Sequence, residues 1–273
     1  MVKVHHLNCG SMCPLGGRLT LGAHTHLCCH CLLLELPDGL VLVDTGFGLD
    51  DVADARRLGG IFRCTARPLL SESECALRQV EQLAFSGQDV RHVLLTHLDV
   101  DHAGGLVDFP HAVVHVMRRE HEIATDPSAL GARARARYQQ EHFQHDVRWD
   151  LCDAGGEPWM GFSQVVQPAG LPPEVLMVPL VGHSAGHAAI AVQSPDGWLM
   201  HAGDAYFHRG EVCAADGPIP WGLRLLARTG QFDVKQRVEN ISRLQRLVVE
   251  HPEVELFCAH DPGELGPLKE ISL

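Results

Sequence analysis

The sequence predicts an α/β fold, because apolar strand-like runs alternate with amphipathic helical segments along its 273 residues. Hydrophobic residues make up 45% of the chain and charged residues 21%, a balance that supplies a core and excludes wholesale disorder. No Gly/Ser-rich linker separates one block of elements from another. We therefore expect residues 1–273 to form a single domain, with a helical insertion at about 118–150 near the functional site.

The charge of the chain argues against nucleic acid as a partner. Asp and Glu number 34 against 22 Lys and Arg, for a formal net charge of -12. No stretch approaches the roughly 18 apolar residues of a membrane span, and residues 1–6 lack the apolar core of a secretory signal. We expect a small-molecule substrate, no membrane contact and a cytoplasmic location. The oligomeric state stays open, a homodimer included.

The first apolar runs predict a β-hairpin that ends in an acidic residue. Residues 29–45 read CHCLLLELPDGLVLVDT, with Pro37-Asp38-Gly39 providing a tight reversal between two runs. The second run, Leu40–Val43, is apolar throughout, as in a strand covered on both faces. Asp44 therefore follows directly on a buried strand.

A helix and a second buried strand come next. Ser71 and Glu74 have the spacing of a capping box and precede apolar residues at helical intervals, which predicts a helix over 71–83. Residues 90–96, VRHVLLT, predict a strand, and HLDVDHAGG follows it at once. The loop at the end of this strand is therefore expected to hold His97, Asp99, Asp101 and His102.

The middle of the chain is charged and rich in helix formers. Residues 118–144 contain ARARAR at 132–137 and are interrupted by Pro127, which favours a pair of solvated helices over a nucleic-acid surface. Glycines and prolines crowd residues 153–173, so this stretch is expected to form loops able to overhang a site.

The C-terminal part again places polar residues after strands. Strands are predicted at 175–181, 188–193 and 198–200, with a turn at 195–197, and at 254–258. A helix is predicted over 234–250, with an apolar face formed by Val238, Ile241, Leu244, Leu247 and Val248. The polar residues that follow these strands are His183, Asp204 and His260.

These strand ends supply four imidazoles and three carboxylates, an inventory that suits two divalent ions roughly 3.5–4 Å apart with one bridging carboxylate. Reactive groups of sheet-based enzymes collect where strands end. Within HLDVDH, alternate residues share a face when extended, whereas His102 beside Asp101 requires a turn that can wrap ligands around two ions. The alternative is that each histidine caps a strand or satisfies a local hydrogen bond; the dense spacing favours metal.

Five motifs carry a family resemblance. VDTG, THLDVDHAGG, VGHSAGH, HAGDAY and CAHD, in this order, resemble the five motifs of the metallo-β-lactamase superfamily over residues 28–261. The resemblance implies an αββα sandwich with metals at one edge. It implies that His97, Asp99 and His183 hold one ion. Asp101, His102 and His260 would hold the other, with Asp204 bridging and Asp44 supporting the metal loop.

Position 99 departs from the family pattern, HxHxDH, because Asp99 replaces the second histidine. Flavodiiron oxygen reductases, which share the fold, place a Glu there. Two dications, three carboxylates and a hydroxide carry no net charge, so the bound water is expected to be less acidified than in the usual site. The oxygen ligand shifts preference from zinc toward manganese or iron. The alternative is that Asp99 is only an acceptor beside an incomplete first site.

The expected chemistry is hydrolysis by a metal-bound hydroxide that attacks an ester or lactone carbonyl. Asp101 is expected to orient the hydroxide. Tyr206, two residues after Asp204, is expected to donate a hydrogen bond to the carbonyl, with ordinary packing as the alternative. His187 is expected to support the site without binding metal. The motif layout is closest to that of N-acyl-homoserine-lactone lactonases, which makes a lactonase the specific expectation.

Three other functions stay open. A glyoxalase II-like thioesterase or a broad esterase would use the same site, although no basic cluster for glutathione is evident. An iron-dependent oxidoreductase is suggested by Asp99, but the chain has no Gly-rich dinucleotide fingerprint. A non-catalytic binding module would lack metal and hydrolysis.

Cysteines and loop aromatics are expected to have mainly structural roles. Cys28 and Cys31 form a CxxC within a strand, where buried small residues are favoured over a redox pair. Aromatic residues near the predicted ligands could form an apolar pocket, but core packing is favoured for each taken singly: Phe47, Trp159, Phe162, Phe207 and Trp221.

Overall fold

Two β-sheets packed face to face form the centre of the structure, a computed structural model that describes residues 2–22, 24, 26–126, 137–195 and 197–271. The strands are β1 (Lys3–Met12), β2 (Leu27–Leu36), β3 (Gly39–Val43), β4 (Pro68–Leu69), β5 (Val90–Leu94), β6 (Val113–Met117), β7 (Arg148–Cys152), β8 (Val175–Pro179), β9 (Ala188–Ser194), β10 (Gly197–His201) and β11 (Val254–Phe257). The larger sheet has the order β4-β1-β2-β3-β5-β6-β7 and the smaller one β11-β10-β9-β8.

Helices cover the outer faces of the two sheets. In the described residues they are α1 (Arg18–Leu21), α2 (Leu49–Ala53), α3 (Gly60–Ala66), α4 (Ala76–Gln82), α5 (Val100–Ala103), α6 (Arg118–Thr125), α7 (Trp221–Thr229), α8 (Val234–Glu250) and α9 (Pro262–Ile271). Short 3-10 turns lie at Ala55–Leu58, Glu72–Glu74, Gly87–Asp89, Gly104–Asp108, Gln140–His142, Arg209–Glu211 and Ala214–Asp216.

Alternating side chains divide the core into layers. Leu32 and Leu34 of β2 point inward and pack with Ile190 of the smaller sheet, whereas Leu33 points outward toward α4. The outer face of the smaller sheet packs against Leu244 of α8. Because helices, two sheets and further helices are stacked in this order, the predicted αββα sandwich is confirmed.

The predicted hairpin and the last helix are confirmed. β2 and β3 pair in antiparallel register across the turn at residues 37–38, and α8 has the predicted bounds, Val234–Glu250. Its buried face differs from the prediction, since Val238 is 56% exposed while Arg237 and Asn240 are buried. Both polar residues are satisfied there, with Arg237 donating to Glu211 at 2.6 Å and Asn240 to the Val181 carbonyl at 2.7 Å.

The predicted helix over 71–83 is shorter and begins without the capping box. A 3-10 turn at Glu72–Glu74 precedes α4, and the Ser71 side chain makes no capping bond. Glu74 instead accepts a hydrogen bond from the Ser11 hydroxyl at 2.9 Å. Tertiary contact with β1 has therefore replaced the local cap.

The predicted insertion at 118–150 is only partly helical in the described residues. It contains α6 and the 3-10 turn at Gln140–His142, and its end belongs to β7. The ARARAR run, except Arg137, and Asp196 of the predicted turn lie outside the described residues. The single-domain assignment stays a prediction. Across the described ranges, no helix is both long and apolar enough to cross a membrane.

The topology brings five strand ends to one edge of the sandwich. β3 and β5 are parallel neighbours in the larger sheet, and β10 and β11 are parallel neighbours in the smaller one. Their carboxyl ends lie side by side, and the loops that leave them carry the predicted polar residues. The loop after β8 joins them at the same edge.

Candidate metal centre

Asp44 anchors the loops that leave β3 and β5. Its backbone adopts a left-handed conformation, with φ 55°, so the chain turns sharply as β3 ends. One carboxylate oxygen accepts the Thr96 backbone N–H, and the other accepts the Thr96 hydroxyl and His102 Nδ1–H, each at 2.8 Å. The buried carboxylate thus holds both the strand end and the imidazole of His102 in place, as the sequence predicted for Asp44.

A one-turn helix, α5, wraps the HLDVDH segment. Asp99 stands at its N-cap, and Asp101 and His102 lie within it. The turn that the sequence required between Asp101 and His102 is therefore present. Both side chains lie at the edge of the sandwich, with His102 buried and Asp101 7% exposed.

The smaller sheet contributes three further predicted residues. His183 follows β8, Asp204 follows β10, and His260 follows β11, and all three are buried. His187 accepts the Asp204 backbone N–H at 3.0 Å through Nε2, so it supports the loop of Asp204. At Gly203, with φ 52°, a Cβ atom would lie 2.7 Å from His187 Nε2, which makes glycine necessary for this approach.

Asp204 lies between two groups of imidazoles. Its Oδ1 atom is 3.3 Å from His102 Nε2 and 3.1 Å from His260 Nε2. Its Oδ2 atom is 3.3 Å from His183 Nε2 and 4.0 Å from His97 Nε2. Each oxygen of one carboxylate therefore faces a separate pair of histidines.

The two aspartates of the HLDVDH segment complete these groups. Asp99 Oδ2 lies 3.3 Å from His97 Nε2 and 3.1 Å from His183 Nε2. Asp101 Oδ2 lies 3.5 Å from His260 Nε2. The structure thus brings together all seven side chains that the sequence proposed as ligands.

The imidazoles turn their Nε2 atoms toward the centre and their Nδ1 atoms toward hydrogen-bond acceptors. His102, His183 and His260 donate their Nδ1–H groups to Asp44, the Gln231 side chain at 3.2 Å and the Cys28 carbonyl at 2.6 Å, respectively. His97 Nδ1 lies 3.0 Å from the Thr96 hydroxyl, whose own hydrogen goes to Asp44, so Nδ1 is the donor there as well. In a neutral imidazole, a donor at Nδ1 leaves Nε2 with a free lone pair, the form that binds metal.

The donor set fits metal ions. Tetrahedral zinc with ligand distances of about 2.0–2.1 Å spaces neighbouring ligand atoms about 3.3 Å apart, and the close contacts around Asp204 span 3.1–3.5 Å. Among the described residues, the buried atoms His97 Nε2 and Asp204 Oδ1 have no hydrogen-bond partner. Two sets of ligand atoms could each hold an ion: His97, His183 and Asp204, and His102, Asp204 and His260.

Burial and charge shape the ionisation of these groups. Burial lowers the pKa of His97 well below its usual value, which favours the neutral, ligating form. Burial raises the pKa of Asp101. Burial also opposes ionisation of Asp99, but the Arg137 guanidinium together with the His97 and His183 imidazoles outweighs it and holds the Asp99 pKa well below its usual range.

Sequence reasoning missed two buried residues that organise the centre. Arg137 binds both oxygens of Asp99, with Nε donating at 2.5 Å and Nη2 at 2.7 Å. Glu120 of α6 accepts hydrogen bonds from the loops that carry His97 and His183. The sequence signal was present only as charge in a segment predicted to be solvated; nothing local pointed to partners 38 or 64 residues away.

A cavity of ≈ 390 Å³ opens onto the centre. Asp99, Asp101, Asp204, His183 and His260 line one side. The remaining lining is largely apolar and includes Met12, Leu27, Ile61, Phe62, Val100, Phe207 and Leu226.

Core packing, which the sequence favoured for each aromatic residue taken singly, is confirmed for Phe47, Trp159 and Phe162. Phe207 lines the cavity, whereas Phe47 packs under α1 and α3, and Trp159 and Phe162 pack on the smaller sheet. Trp221 is 59% exposed.

Tyr206 does not reach the centre, so its predicted catalytic role is corrected. Its side chain is fully buried, and its hydroxyl donates to Glu264 at 2.9 Å. It does not line the cavity. The next residue, Phe207, stacks on His260 with a centroid distance of 6.1 Å and has no hydroxyl to donate. Packing, the alternative for Tyr206, agrees with this geometry.

The cysteines form no disulfide bond in the structure. All ten are free, and the CxxC pair Cys28 and Cys31 is buried in β2, which agrees with a structural role. The thiol of Cys29 lies within 4.8 Å of ligand atoms of Asp101 and His260.

Comparison with known proteins agrees with this architecture. The profile of the metallo-beta-lactamase superfamily matches residues 25–247. A probable metallo-hydrolase of Mycobacterium tuberculosis is 41% identical over 264 residues, 96% of this chain and 81% of that protein. An N-acyl homoserine lactonase of Bacillus cereus is 23% identical over 245 residues, 89% of this chain and 85% of that protein.

A solved structure shares the fold. It is an N-acyl homoserine lactone hydrolase with the product N-hexanoyl-L-homoserine bound at its catalytic metal centre. The TM-score is 0.73 at 22% identity, over 98% of this chain and 96% of that chain.

Proposed function

The chain belongs to the metallo-β-lactamase superfamily and is a metallo-hydrolase, and from this premise we propose that it binds two divalent ions and hydrolyses lactones with an apolar acyl chain. One observation carries the proposal: each oxygen of Asp204 faces a separate pair of imidazoles. A carboxylate so placed is suited to bridge two ions.

These distances support the ligand assignment that the family resemblance implies. We assign one ion to His97, Asp99 and His183, and the other to Asp101, His102 and His260, with Asp204 shared. Four imidazoles suit zinc, while the carboxylate at position 99 leaves manganese and iron as alternatives.

Divalent ions bound there would supply an acidified water as nucleophile and would polarise the substrate carbonyl. Asp101 is the residue placed to orient that water, because its carboxylate lines the cavity beside His260. The Asp101 carboxylate can also accept the proton that the attacking water loses and pass it to the leaving alkoxide. The Tyr206 hydroxyl donates to Glu264 instead. The described residues that line the cavity include no tyrosine that could donate a hydrogen bond to the carbonyl.

The shape of the cavity supports the substrate class. Metal-ligand side chains occupy one side, and Met12, Leu27 and Phe62 belong to the apolar remainder. A cyclic ester at the ions would direct its acyl chain along this apolar wall. The lactonases that this chain resembles are named for their action on N-acyl homoserine lactones, which are cyclic esters of this kind.

A glutathione thioesterase would use the same ions but would need a cavity lined by cations. A glutathione thioester carries carboxylates that need cations. Among the described residues lining the cavity, Arg137 is the sole cation, and it is already paired with Asp99. This observation favours the lactone over the glutathione thioester.

A substrate panel tests the proposal. Protein reconstituted with zinc, manganese or iron would be assayed on N-acyl-homoserine lactones of increasing chain length, thioesters, β-lactams and phosphodiesters. We expect the highest kcat/KM with lactones, rising by up to about fourfold per methylene buried on the apolar wall. Faster thioester or phosphodiester hydrolysis would contradict the lactone assignment. Oxygen consumption by the iron form without ester hydrolysis would contradict the proposed chemistry.

Two variants separate the roles of neighbouring residues. Asp101→Asn should lower kcat about 100-fold, because an amide cannot accept the proton. Tyr206→Phe is the matched control and should leave kcat unchanged, since its hydroxyl faces Glu264. A large loss of kcat in the folded Tyr206→Phe protein would restore the tyrosine to the reaction.

A further inference from the structure

Asp99 and Arg137 form a closed ion pair at the rim of the centre. Arg137 grips the carboxylate side-on, through Nε and Nη2, as described above. Its Nη1 atom donates to the His183 carbonyl at 2.8 Å and to the Gly230 carbonyl at 3.3 Å. Both side chains are mostly buried, with exposures of 17% for Asp99 and 19% for Arg137.

The two hydrogen bonds from Arg137 Nε and Nη2, here called the fork, fix the orientation of the Asp99 carboxylate. Two parallel hydrogen bonds from one guanidinium leave the carboxylate plane little freedom to rotate. In this orientation Asp99 Oδ2 faces both His97 Nε2 and His183 Nε2. A carboxylate oxygen has more than one lone pair, so Oδ2 can accept from Arg137 and still offer a lone pair to an ion.

The same guanidinium ties three segments together. Arg137 contacts the α5 loop through Asp99, the loop after β8 through the His183 carbonyl, and the end of α7 through Gly230. Arg137 therefore holds in place the segments that carry the assigned ligands of one ion, which are His97, Asp99 and His183.

The Asp99–Arg137 pair also affects the net charge of the centre. A carboxylate in place of histidine removes one positive charge from the centre, and the Arg137 guanidinium returns it. The pair as a whole is neutral, like the imidazole of the usual family motif. The expectation that bound water is less acidified here, which considered Asp99 alone, is therefore revised.

We infer that Asp99 and Arg137 act as one unit in place of the second histidine of the HxHxDH motif. Asp99 supplies the ligand oxygen, and Arg137 is a positioning residue that orients and neutralises it. This inference rests on the proposed metal centre. It predicts that the two positions are coupled: a histidine at 99 leaves the guanidinium unpaired beside a dication.

A double-mutant cycle tests the coupling. Zinc affinities of metal-free protein would be measured by competition with a chromogenic chelator for wild type, Arg137→Gln, Asp99→His and the double variant, alongside elemental analysis. Arg137→Gln should lower the affinity for one of the two zinc ions about 10- to 100-fold. Asp99→His alone should also weaken it, and adding Arg137→Gln should restore binding toward the wild-type level.

Controls keep folding apart from metal binding. Arg118 grips Asp153 on the surface with the same side-on fork, at 2.8 and 2.9 Å, so Arg118→Gln should leave both zinc affinities unchanged. Arg137→Lys keeps the charge and loses the fork, and we expect intermediate affinity. If the glutamine variant fails to fold by circular dichroism, Arg137→Met, which also removes the charge, replaces it in the cycle.

The outcomes are distinguishable. A wild type that binds no zinc, and no manganese or iron in the elemental analysis, contradicts the proposed function and this inference together. Two tightly bound ions in wild type and equally tight binding in folded Arg137→Gln contradict only the inference. A double variant that binds no better than Asp99→His also overturns it, because independent losses would then add.

Discussion

Tyr206 and Glu264 form a buried pair whose ionisation links folding to pH. Burial raises the pKa of Glu264 from 4.5 to about 7. The carboxyl accepts from the Tyr206 hydroxyl and from the Cys258 backbone N–H at 2.8 Å. Since the folded protein holds this proton more tightly than the unfolded chain, the free energy of unfolding should fall as pH rises from about 4.5 to about 7.

Glu264→Gln tests this linkage, because an amide stays neutral at every pH and does not titrate. As pH rises from 4.5 to 8, the free energy of unfolding of the variant should increase by ~3 kcal/mol relative to that of wild type. Urea denaturation of both proteins across this range measures the difference. A constant difference between the two curves would show that Glu264 does not titrate with a raised pKa.

Single residues of the centre were predictable when their neighbours in sequence carried the signal. His97 and Asp44 follow buried strands directly, so their position at a sheet edge could be predicted. Arg137 could not, because its partner Asp99 is 38 residues away and its own segment is uniformly charged. Tyr206 was misplaced because two residues along a loop can reverse a side chain, and only the three-dimensional path turns it to Glu264.

At the scale of elements, Glu120 of α6 joins the two ligand-bearing loops. One carboxylate oxygen accepts the Leu98 N–H at 3.2 Å and the Tyr138 hydroxyl at 3.1 Å. The other accepts the Ser184 hydroxyl at 2.6 Å and the Gly186 N–H at 2.9 Å. All four groups are donors, so both oxygens must be acceptors.

Glu120→Gln should therefore destabilise the protein, since the amide would turn its own N–H groups toward donors. We expect a loss of ~1–3 kcal/mol in the free energy of unfolding, measured by chemical denaturation. Glu122→Gln on the exposed face of the same helix is the control and should change it by under ~0.5 kcal/mol. Equal effects of the two substitutions would mean that Glu120 does not brace the loops.

Elements were predictable where periodicity reports burial directly. α8 and the hairpin of β2 and β3 were located because their apolar spacing is strong. β1 was not predicted, since His5, His6 and Asn8 interrupt its apolar pattern. These residues are accommodated by pairing, as when His5 Nε2 lies 2.6 Å from Glu35 and His6 Nδ1 lies 2.8 Å from His30. Tertiary partners thus replace the hydrophobic signal.

At the scale of the whole molecule, the sandwich explains why residues from distant parts of the sequence meet. Parallel pairs in each sheet aim their carboxyl ends at one edge, and the two sheets present those edges side by side. His97 and His260 are 163 positions apart in sequence but belong to one centre, because Asp204 lies between their two groups. The order of motifs along the chain allowed the fold to be predicted, whereas the cavity lining depended on loop paths that no motif encodes.

The central claim is that Asp204 bridges two ions, and elemental analysis of metal-replete wild type and Asp204→Ala side by side tests it most directly. The account predicts two divalent ions per chain in wild type after gel filtration and loss of both from the folded variant. Two ions retained by Asp204→Ala, or fewer than two in wild type, would contradict it.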